Sequence, residues 1–220
     1  MRALVIGASG GIGAALASAL RDRGAEVTAL SRSGDGLDVT DPASVDAHLG
    51  ALDGPFDRLL IVTGGLEIDG HGPEKALRDI APDAMLAQYR LNALGPALVL
   101  RHAARLLPRD GPAVLAALSA RVGSIGDNRA GGWYGYRASK AALNQILRGA
   151  AIELGRSHRQ LACVALHPGT VQTDLTRKYL GRHPAVPPAE AAENLLSVID
   201  GLSAEHTGQF FDWAGKPIPW

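Results

Sequence analysis

The stretch ALVIGASGGIG, residues 3–13, decides the fold. Four apolar residues read as a strand, and Gly7, Gly11 and Gly13 follow before a helical pattern begins. Glycine at a strand–helix junction permits positive φ, lets a phosphate approach the backbone, and lets the helix press on the strand. The helix N-terminus beyond it offers free N–H groups and partial positive charge. Gly7, Ser9, Gly10, Gly11, Ile12 and Gly13 are therefore the candidate cradle for a dinucleotide pyrophosphate. Their G-x-x-x-G-x-G spacing differs from the G-x-G-x-x-G fingerprint, so the loop alone is also compatible with a tight structural turn.

Outward from this loop the chain alternates short apolar runs with longer helical ones. Residues 12–23 carry Ile12, Leu16, Ala19 and Leu20 at helical spacing and stop at Gly24. Strands are predicted at 3–6, 26–30, 36–39, 59–63, 113–118, 161–166 and 209–212, about seven in all. Helices are predicted at 42–52, with Asp41 as N-cap and Pro42 first, and at 84–107, 134–155 and 188–202. The internal Gly95-Pro96 pair should bend the second of these. The strands are continuously apolar, as expected where helices cover both faces of a parallel sheet. The prediction is a doubly wound α/β (Rossmann) fold, one domain spanning 1–220, with a Pro-rich substrate-loop segment at about 174–188.

Composition narrows the function classes. Lys+Arg and Asp+Glu both number 22, so nothing suggests binding to a nucleic-acid backbone. There is no run of about 20 apolar residues for a membrane helix, and the N-terminus does not read as a signal peptide. Cys163 is the only cysteine and lies in the apolar run LACVAL, so it reads as core packing in a reducing, cytoplasmic setting. His48, His71, His102, His158, His167, His183 and His206 are scattered without metal-ligand spacing, so no metal site is expected. A small-molecule partner is what remains.

The end of the second strand bears on the cofactor. An acid there takes the ribose 2′-hydroxyl of NAD, whereas an Arg accommodates the 2′-phosphate of NADP. Here the chain reads Ser31-Arg32-Ser33 with no acid, which points to NADP(H), with NAD(H) still possible. Asp38 could accept from an adenine amino group while Val39 packs on the ring; Asp38 also reads as a turn residue.

Tyr136-Arg137-Ala138-Ser139-Lys140 falls in the helix predicted at 134–155. Positions i and i+4 share a face, so phenol and ammonium project together. A neighbouring Lys⁺ lowers a tyrosine's pKa, which suits it to exchange a proton with a carbonyl oxygen. Trp133 and Tyr134 sit just before, on a Gly131-Gly132 hinge, and could line a pocket or a subunit interface.

With the glycine loop, Asp38, Asn92, Tyr136/Lys140 and the Pro168-Gly169 turn in this order, the chain resembles the short-chain dehydrogenase/reductase family, classical type, over essentially its whole length. Residues 119–144 are similar to its C-factor/Sniffer-like carbonyl reductases. The resemblance implies an oxidoreductase moving hydride between a nicotinamide and a carbonyl or alcohol. It implies that Asn92 supports a proton relay with Lys140, and that Pro168, Gly169, Val171 and Thr173 form the loop beside the nicotinamide. It also implies a homodimer or homotetramer.

Two departures stand out. The family's Asn-Asn-Ala-Gly stretch is here Val62-Thr63-Gly64-Gly65; the small Gly64 and Gly65 still let a cofactor pass, but the usual side-chain bracing is missing. The family's catalytic serine aligns with Ala120, leaving Ser119, Ser124 or no serine to polarise the substrate oxygen, with Ser119 favoured. These departures keep a second reading open: a dinucleotide-binding sensor or interaction protein without efficient catalysis. Neither the substrate nor the direction of reaction is readable from the sequence.

Overall fold

The computed structural model describes residues 1–181 and 184–220; His183 lies outside the described residues. Six parallel strands form one sheet in the order β2-β1-β3-β4-β5-β6. They are β1 (Arg2–Ile6), β2 (Glu26–Leu30), β3 (Arg58–Ile61), β4 (Ala113–Leu118), β5 (Leu161–His167) and β6 (Phe210–Asp212). The helices are α1 (Gly11–Asp22), α2 (Arg32–Asp35), α3 (Pro42–Gly50), α4 (Pro82–Tyr89), α5 (Gly95–Leu100), α6 (Ala103–Leu106), α7 (Tyr134–Leu154) and α8 (Pro188–Asp200).

Alternation along each strand builds two cores. Leu4, Ile6, Leu59, Ile61, Leu115 and Cys163 face one side, against Val45 and Leu49 of α3 and Leu143, Leu147 and Leu154 of α7. Ala3, Val5, Leu60, Ala116, Val164 and Leu166 face the other, against Leu16 and Leu20 of α1 and Leu195, Leu196 and Ile199 of α8. Period-two side-chain alternation thus explains why β4 and the interiors of β1, β3 and β5 carry apolar residues at successive positions. Cys163 is fully buried and its thiol is pushed up to about 12 by that burial, which makes it packing rather than chemistry.

Two predicted elements differ. Residues 36–39 do not form a strand, so among the described residues the sheet has six strands and not seven. Leu37 and Val39 are buried, which gave the run its strand-like look, but the Leu37 N–H returns to the Ser31 carbonyl and the Asp38 carboxylate collects Thr40. The backbone donors are spent locally and no ladder can form. The helix predicted over 84–107 is broken into α4, a π-helical turn at Arg90–Leu94, α5 and α6. The break lies before Pro96. Proline has no N–H to return to the carbonyl four residues earlier, Asn92, and its ring crowds that carbonyl. The turn widens, and the Gly95 N–H bonds the Arg90 carbonyl five residues back.

Because β1 lies between β2 and β3, successive crossovers leave it in opposite directions. The crevice above the C-terminal ends of β1 and β3 is where ligands bind in open sheets of this kind. No described helix is long and apolar enough to cross a membrane.

Candidate active site

At the end of β1 the backbone turns at Gly7 with φ +95°. A Cβ there would stand 2.9 Å from the Val62 carbonyl carbon. At Gly13 a Cβ would stand 2.2 Å from the Gly7 carbonyl oxygen, so α1 presses on the turn as only glycine permits. Gly11 faces Thr173, whose Cγ2 lies 2.8 Å from where a Cβ would be. Ser9 and Gly10 are exposed, Ile12 is half-buried, and the first turn of α1 carries no acid. These features fit a pyrophosphate: an exposed helix N-terminus, no competing carboxylate in its first turn, and a floor stripped of Cβ atoms. Thr63, two residues past β3, adds a buried Oγ1 without a hydrogen-bond partner among the described residues.

Beyond β2, Arg32 and Ser33 are exposed at the start of α2. Ser31 is buried and caps α2, accepting from the Gly34 N–H at 3.0 Å. An acid is nevertheless present: the Asp35 carboxylate folds back and accepts the Ser31 N–H at 2.8 Å. Asp38 accepts from the Thr40 N–H and hydroxyl at 2.8 and 2.7 Å, and these bonds, chiefly the hydroxyl's, hold its carboxyl below the usual range. Val39 is buried against Gly95 of α5.

The bracing absent from Val62-Thr63-Gly64-Gly65 comes from α4 and the π turn instead. Asn92 is fully buried; its Oδ1 accepts the Gly65 N–H and its Nδ2 donates to the Gly65 carbonyl, both at 2.9 Å. Nδ2 also donates to Gln88 Oε1 at 2.7 Å, and Gln88 Nε2 donates to the Leu66 carbonyl at 2.8 Å. Gln88 thereby fixes which way the Asn92 amide faces.

Lys140 and Asn92 meet over Gly64. A Cβ at Gly64 would stand 3.0 Å from Asn92 Oδ1 and 3.3 Å from Lys140 Nζ. Lys140 Nζ donates to the Leu118 carbonyl at the end of β4, at 2.9 Å. One turn earlier on α7, the Tyr136 ring packs edge-on to Trp133 with centroids 6.2 Å apart, and Trp133 meets Tyr179 at 5.2 Å. Trp133 therefore packs within this chain, between the rings of Tyr136 and Tyr179. Burial governs both titrating groups: it pushes the Tyr136 phenol up to about 12 and the Lys140 ammonium down to about 8. The helix spacing alone predicts a lowered phenol; here burial raises it instead, and the ammonium is turned to a carbonyl.

Ser119 is buried just past β4, and its hydroxyl donates to Asn144 Oδ1 at 2.6 Å. Asn144 lies one turn after Lys140 on α7. Ser124 donates to the Pro219 carbonyl and accepts the Asp127 N–H, so it fastens the C-terminal segment. Ala120 opens the short turn at Arg121–Gly123. After β5, Pro168 and Gly169 (φ +77°) turn beneath Trp213, and Val171 is buried and bridged to Val186. Lys178 Nζ donates to Glu67 Oε2 at 2.6 Å, and the Tyr179 hydroxyl to Oε1 at 3.3 Å, joining the short turn at Arg177–Tyr179 to the loop after β3.

Sequence reading missed Gln88, Asn144 and Asp35. The first two have a signal in hindsight: each lies four residues from a singled-out helical residue, Asn92 and Lys140. Asp35 lies five residues past the end of β2, and only the turn of α2 brings its carboxylate back.

Comparison with known proteins identifies relatives over most of the chain. A family model described as enoyl-(acyl carrier protein) reductase matches residues 7–199. The 1-hydroxy-2-glutathionyl-2-methyl-3-butene dehydrogenase of Rhodococcus sp. (strain AD45) is 34% identical over 232 residues, covering 99% of this chain and 98% of that one. The C-signal protein of Myxococcus xanthus is 39% identical over 170 residues, 76% of this chain and 94% of the relative. Among solved structures, a short-chain dehydrogenase/reductase from Burkholderia multivorans with bound NADP superposes with a TM-score of 0.80 at 27% identity, covering 100% of this chain and 99% of that one.

Proposed function

The chain belongs to the short-chain dehydrogenase/reductase family, an oxidoreductase family, and we propose that it is an NADP(H)-preferring carbonyl reductase, or dehydrogenase of the matching alcohol, acting on a small molecule. The observation that carries this reading is the buried Lys140 Nζ standing over Gly64, one helical turn after Tyr136 on α7. When bound, the nicotinamide supplies or accepts the hydride. Gly7, Ser9, Gly10, Gly11, Ile12, Gly13, Ser31, Arg32, Ser33, Asp38, Val39, Gly64, Gly65, Pro168, Gly169, Val171 and Thr173 are the residues assigned to hold the cofactor.

Tyr136 donates its phenolic proton to the substrate oxygen in reduction and takes it back in oxidation. Lys140 stabilises the phenolate that donation leaves, and also holds ribose hydroxyls. The Asn92 side chain is occupied by Gly65 and Gln88, so we assign its relay role to its main-chain carbonyl, which Pro96 cannot engage. The working unit is a homo-oligomer of one domain, residues 1–220, in the cytoplasm, with 174–188 shaping the substrate site.

Ser119 is the remaining assignment. Its single hydroxyl proton goes to Asn144, and turning it to a substrate would strand the buried Asn144 oxygen. Ser119→Ala is expected to lower kcat by less than about tenfold; a loss of about 10² or more would identify it as a direct donor to the substrate oxygen. Steady-state kinetics on the purified variant decides between these.

Cofactor preference rests on Arg32. Arg32→Ala should weaken NADPH binding about tenfold and leave NADH within about twofold, because a phosphate pair is removed and no ribose contact is touched. Asp35 favours the other choice, since a carboxylate at the end of β2 suits a free 2′-hydroxyl. Tighter NADH binding in the wild type, lost in Asp35→Ala, would award the site to NAD(H).

The test of the whole reading is consumption of NADPH and NADH across a panel of aldehydes and ketones, with alcohols bearing a glutathionyl group run in the oxidative direction. Turnover abolished by Tyr136→Phe is the expected result. NADPH binding without turnover of any substrate, unchanged by that substitution, would establish the sensor reading that Ala120 favours.

A further inference from the structure

Helix α7 begins without a cap of its own. Its N-cap residue, Trp133, has no side-chain acceptor and stands at φ +52°, a left-handed conformation a bulky residue rarely adopts. The acceptors come from Glu74, in the loop between β3 and α4. The Glu74 main-chain carbonyl accepts the Trp133 N–H at 2.6 Å, and its side-chain Oε2 accepts the Gly135 N–H at 3.0 Å. Glu74 is 7% exposed. Gly135 makes room for it: a Cβ there would stand 2.8 Å from Glu74 Oε1. A carboxylate on the second N–H of a helix is what an Asp or Ser N-cap normally supplies, and its charge suits the positive end of the helix. Here it arrives from 61 residues away in sequence, one residue before Tyr136.

We propose that Glu74 is a positioning residue for Tyr136: by capping α7 from outside the helix it holds the first turn, and with it the phenol, in place. This rests on Tyr136 being the proton donor. Glu74 touches no reacting atom; it acts through the backbone of Trp133 and Gly135. Without its carboxylate the Gly135 N–H is left unsatisfied, the residue-74 carbonyl alone holds the strained Trp133 turn, and the first turn of α7 frays.

The test compares Glu74→Ala, Glu74→Gln, Gly135→Ala and the Glu74→Ala/Gly135→Ala double variant, each normalised to NADPH-binding sites so that unfolded protein does not count. Glu74→Ala should lower kcat about tenfold or more with KM little changed, because small misplacement of a reacting group is costly. Glu74→Gln keeps an acceptor oxygen and should stay within about threefold of wild type. Gly135→Ala displaces the carboxylate and should reproduce the Glu74→Ala loss. In the double variant the new methyl keeps only an ordinary contact, 3.5 Å from Gln88 Cγ, so the two losses should not add.

A second readout needs no substrate. The Tyr136 ring-carbon NMR signal, assigned by its disappearance in Tyr136→Phe, is followed from pH 8 to 11. Wild type and Glu74→Gln should show little titration there, and Glu74→Ala should begin to titrate as its phenol gains solvent. If the wild type turns over no substrate, the activity reading fails and this titration alone decides the role of Glu74. Unchanged kcat and titration in Glu74→Ala, a Gln variant as damaged as Ala, or additive losses in the double variant would each overturn the proposal.

Discussion

Tyr136→Phe is expected to cut kcat for carbonyl reduction by about 10³-fold while leaving NADPH affinity within about twofold. The substitution removes one oxygen and keeps the ring. The edge-on contact with Trp133 is a contact of rings, so the first turn of α7 has no reason to move. What disappears is the only proton on this face of α7 that can be donated to a substrate oxygen while a lysine one turn away stabilises the conjugate base. Burial sets the conditions under which that works. With its phenol pushed up to about 12, Tyr136 is protonated across the physiological range and ready to act as an acid. Lys140, pushed down to about 8, carries the compensating charge below that value and loses it above. Reduction should therefore slow as pH rises through about 8, whereas a free lysine would keep its charge to about 10.4. Single-turnover NADPH oxidation against pH, for wild type and Tyr136→Phe, checks both statements. A variant retaining a tenth of wild-type turnover would remove Tyr136 from the role of proton donor.

What could be read from the sequence divides by the distance over which each feature acts. The glycine loop and the Tyr136/Lys140 pair were legible because strand–loop–helix order and i,i+4 spacing are local. The parallel sheet was legible because burial on both faces leaves an unbroken apolar run. Residues 36–39 misled for the same reason: Leu37 and Val39 are apolar because they are buried, yet Asp38 and Ser31 draw the backbone into turns. Gly95-Pro96 announced a disturbed helix, but its consequence falls earlier, at Asn92, because proline acts on the carbonyl behind it. The bracing of Gly65 by Asn92, the hold of Ser119 on Asn144 and the reach of Glu74 to Gly135 were not legible. Each joins residues 25 to 61 positions apart, and only the fold brings them together. The family's missing Asn-Asn pair looked like a defect in the sequence; in the fold, Asn92 and Gln88 supply the bracing from the neighbouring helix.

Gly13→Ala should weaken NADPH binding by about 100-fold, equivalent to about 2.8 kcal/mol. A single methyl has this effect because of what it meets. The added Cβ would stand 2.2 Å from the Gly7 carbonyl oxygen, 2.9 Å from its carbon and 3.1 Å from Ala8 Cα, all of them backbone. No side chain can rotate away, so α1 must withdraw from the turn. Gly7 cannot yield in the other direction. Its nitrogen is bonded to the Leu30 carbonyl at 2.8 Å, its φ is +95°, and a Cβ of its own would meet the Val62 backbone. The turn is thus fixed between β2 and β3, and α1 alone moves, taking with it the N–H groups assigned to the pyrophosphate. Overpacking a fixed backbone costs about 1–3 kcal/mol of stability, so a fall in the urea midpoint should accompany the loss of binding. Gly50→Ala, where nothing lies within 4 Å, is the control: it should leave NADPH affinity unchanged and should not lower the midpoint, since alanine suits the last turn of α3 better than glycine. Isothermal titration and urea denaturation of the three proteins separate the cases. Unchanged NADPH affinity in Gly13→Ala would mean that the glycine loop is a structural turn, and that the dinucleotide, if bound, is held elsewhere.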